Sequence, residues 1–155
     1  MIYLDTSCLL KLFLDEPESE AVRLAVAGEP EVIVSALTEL ETGVQLRAGW
    51  LAGEYREQRY RSYVDRLHAL RETDPFHFRS LAGSVFQTAV RQDLDAGRLH
   101  CRTLDRLHLA AMEELGLRRL MTNDAAQAVG ASALRFEVVS PGRPATKKTP
   151  TRPVP

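Results

Sequence analysis

Lysine is scarce in this chain. It occurs only as Lys11, Lys147 and Lys148, so nearly all positive charge is arginine. Formal net charge is −1, which excludes a global basic field drawing the protein to nucleic acid. Any surface that faces phosphate must be local. Cysteine is scarcer still. Cys8 and Cys101 have no metal-ligand spacing, and two cysteines make no disulfide framework in 155 residues. A reduced, cytoplasmic protein is expected. No apolar run is long enough to span a bilayer, so no membrane role is expected. The first residues read as a strand ending in an acid, not as a secretion signal. There is no GxGxxG and no P-loop, which removes support for the nucleotide-binding versions of an α/β fold. No serine stands in a nucleophile elbow.

What is present fits one buried core. Hydrophobic residues make up 45% of the chain and charged residues 26%, an ordinary globular balance. Ile2, Tyr3 and Leu4 run into Asp5, then the hydroxyls of Thr6 and Ser7, then an apolar run over 8–14. This order predicts a buried strand, a polar turn and a helix. A second helix follows Pro17. Val32, Ile33 and Val34 predict a strand, Ser35 an N-cap, and 36–48 a helix stopped by Gly49.

The stretch 54–72 reads as a long charged helix with Tyr60, Tyr63, Val64 and Leu67 on one face. Its arginines, Arg56, Arg59, Arg61 and Arg66, suggest RNA backbone contacts. The simpler reading is a core stripe with a solvated charged side. Residues 68–73 also allow a short strand. Asp74 and Pro75 predict the start of a helix carrying Phe78, Leu81, Val85, Phe86 and Ala89, ended by Gly97. Thr103 predicts the cap of another helix, over 103–115. Leu120 and Met121, then Phe136, Val138 and Val139, predict the last strands, with a short helix over 125–129 between them.

Strands thus alternate with helices. The expected fold is a single α/β domain over residues 1–140, with a parallel sheet of four to five strands flanked by helices. From Pro141 the sequence turns to PGRPATKKTPTRPVP, which cannot bury a core, so residues 141–155 are expected to be a disordered tail.

Four acids stand where a strand hands over to a helix or near a helix start: Asp5, Glu41, Asp105 and Asp124. Each has a simpler reading. Asp5 and Asp124 suit N-caps, Glu41 can complete a capping box with Thr38, and Asp105 suits the positive end of a helix dipole. Together they point elsewhere. Carboxylates gathered at one end of a parallel sheet repel one another, and a hard divalent cation removes that conflict. Such an ion activates water and stabilises phosphoryl oxygen, the chemistry of phosphodiester hydrolysis. A haloacid-dehalogenase-type phosphatase needs an acid two residues after the first, where this chain has Ser7, and a receiver domain needs a late lysine that is missing. His108 lies one turn after Asp105 and can hold a carboxylate, shuttle a proton or simply pack.

Four motifs in order give the chain a resemblance to PIN domains, and among them to VapC-type toxins of type II toxin–antitoxin pairs. They are YLDTSCLLKLFLDEPES with Asp5, SALTELETG with Glu41, TLDRLHLAA with Asp105, and LMTNDAAQAVGA with Asp124. The resemblance implies a Mg²⁺-dependent endoribonuclease, Mn²⁺ serving as an alternative, in which Asp5, Glu41, Asp105 and Asp124 are the catalytic and metal-binding residues. It implies tRNA or rRNA as substrate, a homodimer, and a VapB-type antitoxin that blocks the site. Leu9, Leu12, Phe13 and Leu37 are candidates for the antitoxin's groove. Glu39 competes with Glu41 for the glutamate role. The stretch 49–95 carries no diagnostic motif. The alternatives are a non-catalytic PIN-like module that binds RNA or a partner, and a metal-dependent phosphatase of the same architecture.

Overall fold

The computed structural model describes residues 1–142; of the expected tail, 143–155 lie outside the described residues, while Pro141 and Gly142 form a turn in which Pro141 is buried, so the domain runs two residues further than expected. The sheet is built from β1 (Ile2–Leu4), β2 (Val32–Ser35), β3 (Phe76–Arg79), β4 (Arg119–Met121) and β5 (Glu137–Val139). Their order is β3-β2-β1-β4-β5 and every pairing is parallel. All three residues of β1 are fully buried. An unbroken apolar triplet suits a central strand covered on both faces, where alternation has no purpose.

Helices cover the two faces separately. Ile2 and Leu4 point into a core formed with α1 (Thr6–Leu10), α2 (Ser19–Ala27), α3 (Ala36–Leu51) and α4 (Glu57–Ala69), through Leu9, Val22, Leu46 and Leu67. Tyr3 points to the other face and packs in a layer with α5 (Ser84–Asp95), α6 (Thr103–Glu114) and α7 (Ala125–Ala133), through Val85, Leu109 and Ala131. From β1 the chain adds strands on one side, then returns to add β4 and β5 on the other. The strand order therefore reverses at β1 and β4. Their carboxyl ends form the crevice where open α/β sheets place ligands. Asp5 is pinned there, its backbone N–H donating to the Met121 carbonyl at 3.0 Å.

The parallel sheet flanked by helices is the architecture expected, at the upper strand count. Several local expectations fail. Residues 76–79 are not the start of a helix; they form β3, with Val32 opposite Phe76 and Val34 opposite Phe78. The free edge of β2 needs hydrogen-bond partners, and that pairing overrides the local helical pattern. The helix begins only at Ser84. Residues 68–73 are not a strand, since α4 runs to Ala69 and a single 3₁₀ turn, Leu70–Glu72, follows. The helix expected over 8–14 is shorter. α1 ends at Leu10, and Lys11 turns to pair with Glu16 at 2.6 Å and Glu18 at 3.1 Å. Thr103 does not cap α6; it is the first helical residue, and Arg102 holds the cap position without a side-chain cap.

Two functional expectations also change with the fold. Leu9 and Phe13 are buried in the core, so neither can line a groove for another chain. Leu37 does face an apolar depression, shared with Leu81, Val85, Phe86 and Leu107. The arginines of α4 have local partners instead of a common patch. Arg61 pairs with Glu57 at 2.6 Å, Arg59 donates to the Tyr63 hydroxyl at 2.6 Å, and Arg66 donates to the Leu12 carbonyl at 3.0 Å. Tyr63 and Leu67 are core residues, as the simpler reading requires.

Candidate active site

An open cleft of about 450 Å³ lies at the carboxyl ends of β1 and β4, and Asp5, Glu41, Asp105 and Asp124 all line it. Sequence spacing alone nominates these four, and the fold brings them to one place. Glu39 faces away, with both its carboxylate oxygens taken by Arg71.

The first half of the cleft is held by hydroxyl, amide and imidazole groups, with Asp5 buried and Glu41 half-buried. Asp5 stands at the N-cap position of α1, but its side chain caps nothing. Instead Asp5 Oδ2 accepts from Ser7 Oγ at 2.8 Å and Thr122 Oγ1 at 2.7 Å. With the Gln127 amide in its hydrogen-bonding orientation, its nitrogen adds donations to Asp5 at 3.0 and 3.1 Å. Ser7 Oγ also accepts from the Asn123 amide, and Thr122 Oγ1 from the Asp124 amide, both at 3.0 Å, so the two strand ends lock together around the acid.

Glu41 projects from the second turn of α3. Ser35 caps that helix, accepting from the Thr38 amide at 3.1 Å, so Glu41 is free of the capping-box role. Thr6 Oγ1 donates to Glu41 Oε2 at 2.6 Å, and His108 Nε2 does so at 2.5 Å. Burial raises the Glu41 pKa, but the hydrogen bonds from His108 and Thr6 outweigh it and hold the carboxyl below its usual range. His108 is 2% exposed; its Nδ1 lies 2.7 Å from the Tyr3 hydroxyl, which lies 2.6 Å from Ser35 Oγ. His108 thus spans the two, with one ring nitrogen on Glu41 and the other on Tyr3. Burial pushes the Tyr3 hydroxyl far up, so its proton stays in place.

The second half is held by one cation. Arg102 Nε and Nη2 donate to Asp105 Oδ2 and Oδ1 at 2.6 and 3.1 Å, and Nη2 also donates to Asp124 Oδ2 at 2.5 Å. Asp124 Oδ1 caps α7 by accepting from the Ala126 and Gln127 amides, so the simple N-cap reading of Asp124 holds alongside its place in the cleft. Burial raises the Asp124 pKa, and Arg102 with the helix amides brings it below the usual carboxylate range. The Arg102 side chain is 60% exposed.

Among the described residues, no three His, Cys, Asp or Glu side chains stand together as a ready ligand set for one ion. Oxygens of Asp105 and Asp124 are taken by Arg102, and Glu41 Oε2 by His108 and Thr6. The oxygens themselves are hard donors of the kind magnesium prefers.

Arg102, Gln127 and the Thr122 hydroxyl were not singled out by spacing. For Arg102 a signal exists, since it stands three residues before Asp105 and pairs on one helix turn. The His108–Tyr3 contact joins residues 105 positions apart, and no local pattern announces it.

Comparison with known proteins places the chain by family and fold. The PIN domain family model matches residues 2–131. Ribonuclease VapC46 of Mycobacterium tuberculosis is 32% identical over 142 residues, spanning 90% of this chain and 97% of that protein. Among solved structures, M. tuberculosis VapC20, titled a sarcin–ricin loop cleaving toxin, superposes with a TM-score of 0.69 at 17% identity, covering 91% of this chain and 100% of that one. A toxin–antitoxin complex from Klebsiella pneumoniae matches with a TM-score of 0.59 at 20% identity, over 91% and 98% of the two chains. The chain belongs to the PIN domain family and groups with its VapC members.

Proposed function

We propose that this protein is a divalent-metal-dependent endoribonuclease and the toxin of a toxin–antitoxin pair. The observation that carries the reading is the convergence of Asp5, Glu41, Asp105 and Asp124 on one cleft, in a chain one-third identical to a protein named a ribonuclease. The residues fit a hard cation in their chemistry. The Arg102 guanidinium already lies between Asp105 and Asp124 as a stand-in, and Mg²⁺ needs only one or two carboxylates directly and keeps several waters. The four acids are the residues to hold Mg²⁺, or Mn²⁺ in its place, some directly and some through water. The bound ion supplies Lewis acidity at a phosphoryl oxygen and lowers the pKa of a water.

The rest of the work falls to the chain. Ser7, Thr122 and Gln127 fix Asp5 by donating to it, which keeps it an acceptor aimed at the cleft. His108 is too buried to meet RNA, so it is a positioning residue that fixes Glu41. Thr6 fixes the same carboxylate from the open side. In the proposed reaction a water gives up a proton to solvent as its oxygen bonds to phosphorus, the P–O3′ bond breaks, and the 3′ oxygen takes a proton from solvent, giving a 5′-phosphate and a 3′-hydroxyl. The RNA 2′-OH takes no part.

As partners, the reading takes an RNA substrate, a VapB-type antitoxin and a second copy of the chain, in the cytoplasm. α5 supports an assembly, because Phe86, Val90 and Leu94 stand in one apolar row, 61%, 61% and 79% exposed. A non-catalytic role has one observation in its favour: two of the four acids are neutralised by Arg102. One assay separates the readings. An RNA target carrying a single 2′-deoxy residue at the cut position should still be cut in Mg²⁺ and stay intact in EDTA. A 2′,3′-cyclic phosphate product on normal RNA would rule the mechanism out, and turnover of p-nitrophenyl phosphate without RNA cleavage would mark a phosphatase.

A further inference from the structure

Arg102 is the only lysine or arginine among the residues lining the cleft, where it faces four carboxylates. An RNA backbone approaching those acids meets repulsion, and among the described residues lining the cleft this guanidinium is the lysine or arginine charge that offsets it. Yet in the protein as it stands Arg102 is occupied, forked onto Asp105 and bonded to Asp124. These are two of the carboxylates that the proposed function gives to a divalent cation.

The anchoring of Arg102 allows exchange. Its backbone is fixed, with its carbonyl accepting from the Arg106 amide at 2.9 Å at the start of α6. Its side chain is 60% exposed and packs into no core, so rotation about its own bonds suffices to release it. A divalent ion outcompetes a monovalent guanidinium for paired carboxylates by charge density. Once released, the side chain remains tethered at the rim, with a planar fork of donors that matches phosphate.

From this geometry we infer that Arg102 is an exchangeable counter-ion: it holds Asp105 and Asp124 until a divalent cation displaces it, and then it binds a phosphate of the substrate. The inference rests on the metal-dependent reading above and adds a residue to it. It differs from a static structural salt bridge, which would persist when metal binds and would contribute nothing to an anionic ligand.

Two titrations on the full-length protein test it without turnover. In the first, Mn²⁺ binding is measured by calorimetry on wild type, R102A and R102K. R102A should bind Mn²⁺ roughly three- to tenfold more tightly, because a competitor for the same carboxylates has gone, with R102K between the two. Equal or weaker Mn²⁺ binding by R102A would overturn the exchange. In the second, adenosine 5′-monophosphate is the probe, standing in for the 5′-phosphate end of a product. Wild type should bind it in Mg²⁺ but not in EDTA, and R102A should lose roughly tenfold in Mg²⁺. Undiminished binding by R102A would overturn the phosphate role. The outcomes also separate this inference from the reading beneath it. If wild type binds Mn²⁺ and R102A binds it equally, only the exchange falls; if wild type binds no Mn²⁺, the metal-dependent reading falls with it. R102K guards against a folding artefact, since it keeps the charge and the stem while losing the fork.

Discussion

The cleft has two halves, and they hold their acids by opposite means. Asp5 and Glu41 are met by hydroxyls, an amide and an imidazole; of these Thr122, Gln127 and His108 are buried, and Thr6 and Ser7 are half-buried beside them. Asp105 and Asp124 are met by one exposed guanidinium on a flexible stem. Neutral donors in a buried setting orient a carboxylate without cancelling its charge, and leaving one of them unpaired is costly. An exposed ion pair cancels charge but is screened by water and easily exchanged. One half therefore reads as a fixed acceptor and the other as a replaceable one, and mutation can test that division directly.

The largest effect is expected from Asp5→Asn. Shape is kept while the uncancelled charge is lost, so Mg²⁺-dependent RNA cleavage should drop on the order of a hundredfold or more. Glu39→Gln, outside the cleft, should leave cleavage near wild type, and equal losses in the two variants would break the division at its root. Next comes His108→Ala. It strips a buried partner from both Tyr3 and Glu41 and should cost about 2–3 kcal/mol in denaturant unfolding. Thr122→Val removes one donor from Asp5 at nearly constant volume and should cost about 1–2 kcal/mol. By contrast Arg102→Gln, in the exposed half, should change metal-free stability by less than about 1 kcal/mol. If Arg102→Gln proves as costly as His108→Ala, the second half is as rigid as the first.

The smallest effect is in pH. Asp124 has a lowered pKa in the folded protein, so its carboxylate adds stability above the range in which it titrates unfolded, near pH 4. That stability is lost as pH falls through the lower folded value. Asp105 and Arg102 face Asp124 across the pair. Acid unfolding of metal-free wild type should thus be a little steeper below pH 4 than that of R102Q, and coincident curves would leave Arg102 without influence on Asp124.

Much of this is legible in the sequence. The four acids announce themselves because each follows a recognisable strand end or helix start, and a parallel sheet forces such positions to one edge. Glu41 over Glu39 follows only from the resemblance to the family's S-x-L-T-x-x-E motif; spacing leaves both open, and it is Arg71 that takes Glu39 out of the cleft. What stayed hidden depends on partners far apart in the chain. Phe76 and Phe78 read as part of a helix because only the open edge of β2 makes them a strand. Leu9 and Phe13 read equally as groove or core, since burial is decided by what the fold lays over them. Gln127 is one of many small-helix residues until β1 and α7 bring it against Asp5.

Tyr3 ties the interior to the cleft in a way that bears on how this sequence can drift. Its ring belongs to the apolar layer that includes Leu109 and Leu120, and its hydroxyl sets the far end of the line through His108 to Glu41. Hydrogen bonds tolerate only a few tenths of an ångström before they weaken. A neighbour that gains or loses a methyl group in that layer shifts the ring, and with it the aim of a carboxylate several side chains away. Substitutions that look neutral for folding can therefore be silent in a thermal melt and visible in turnover. On the proposed function, the interior around Tyr3 therefore serves two demands at once, filling space and pointing Glu41.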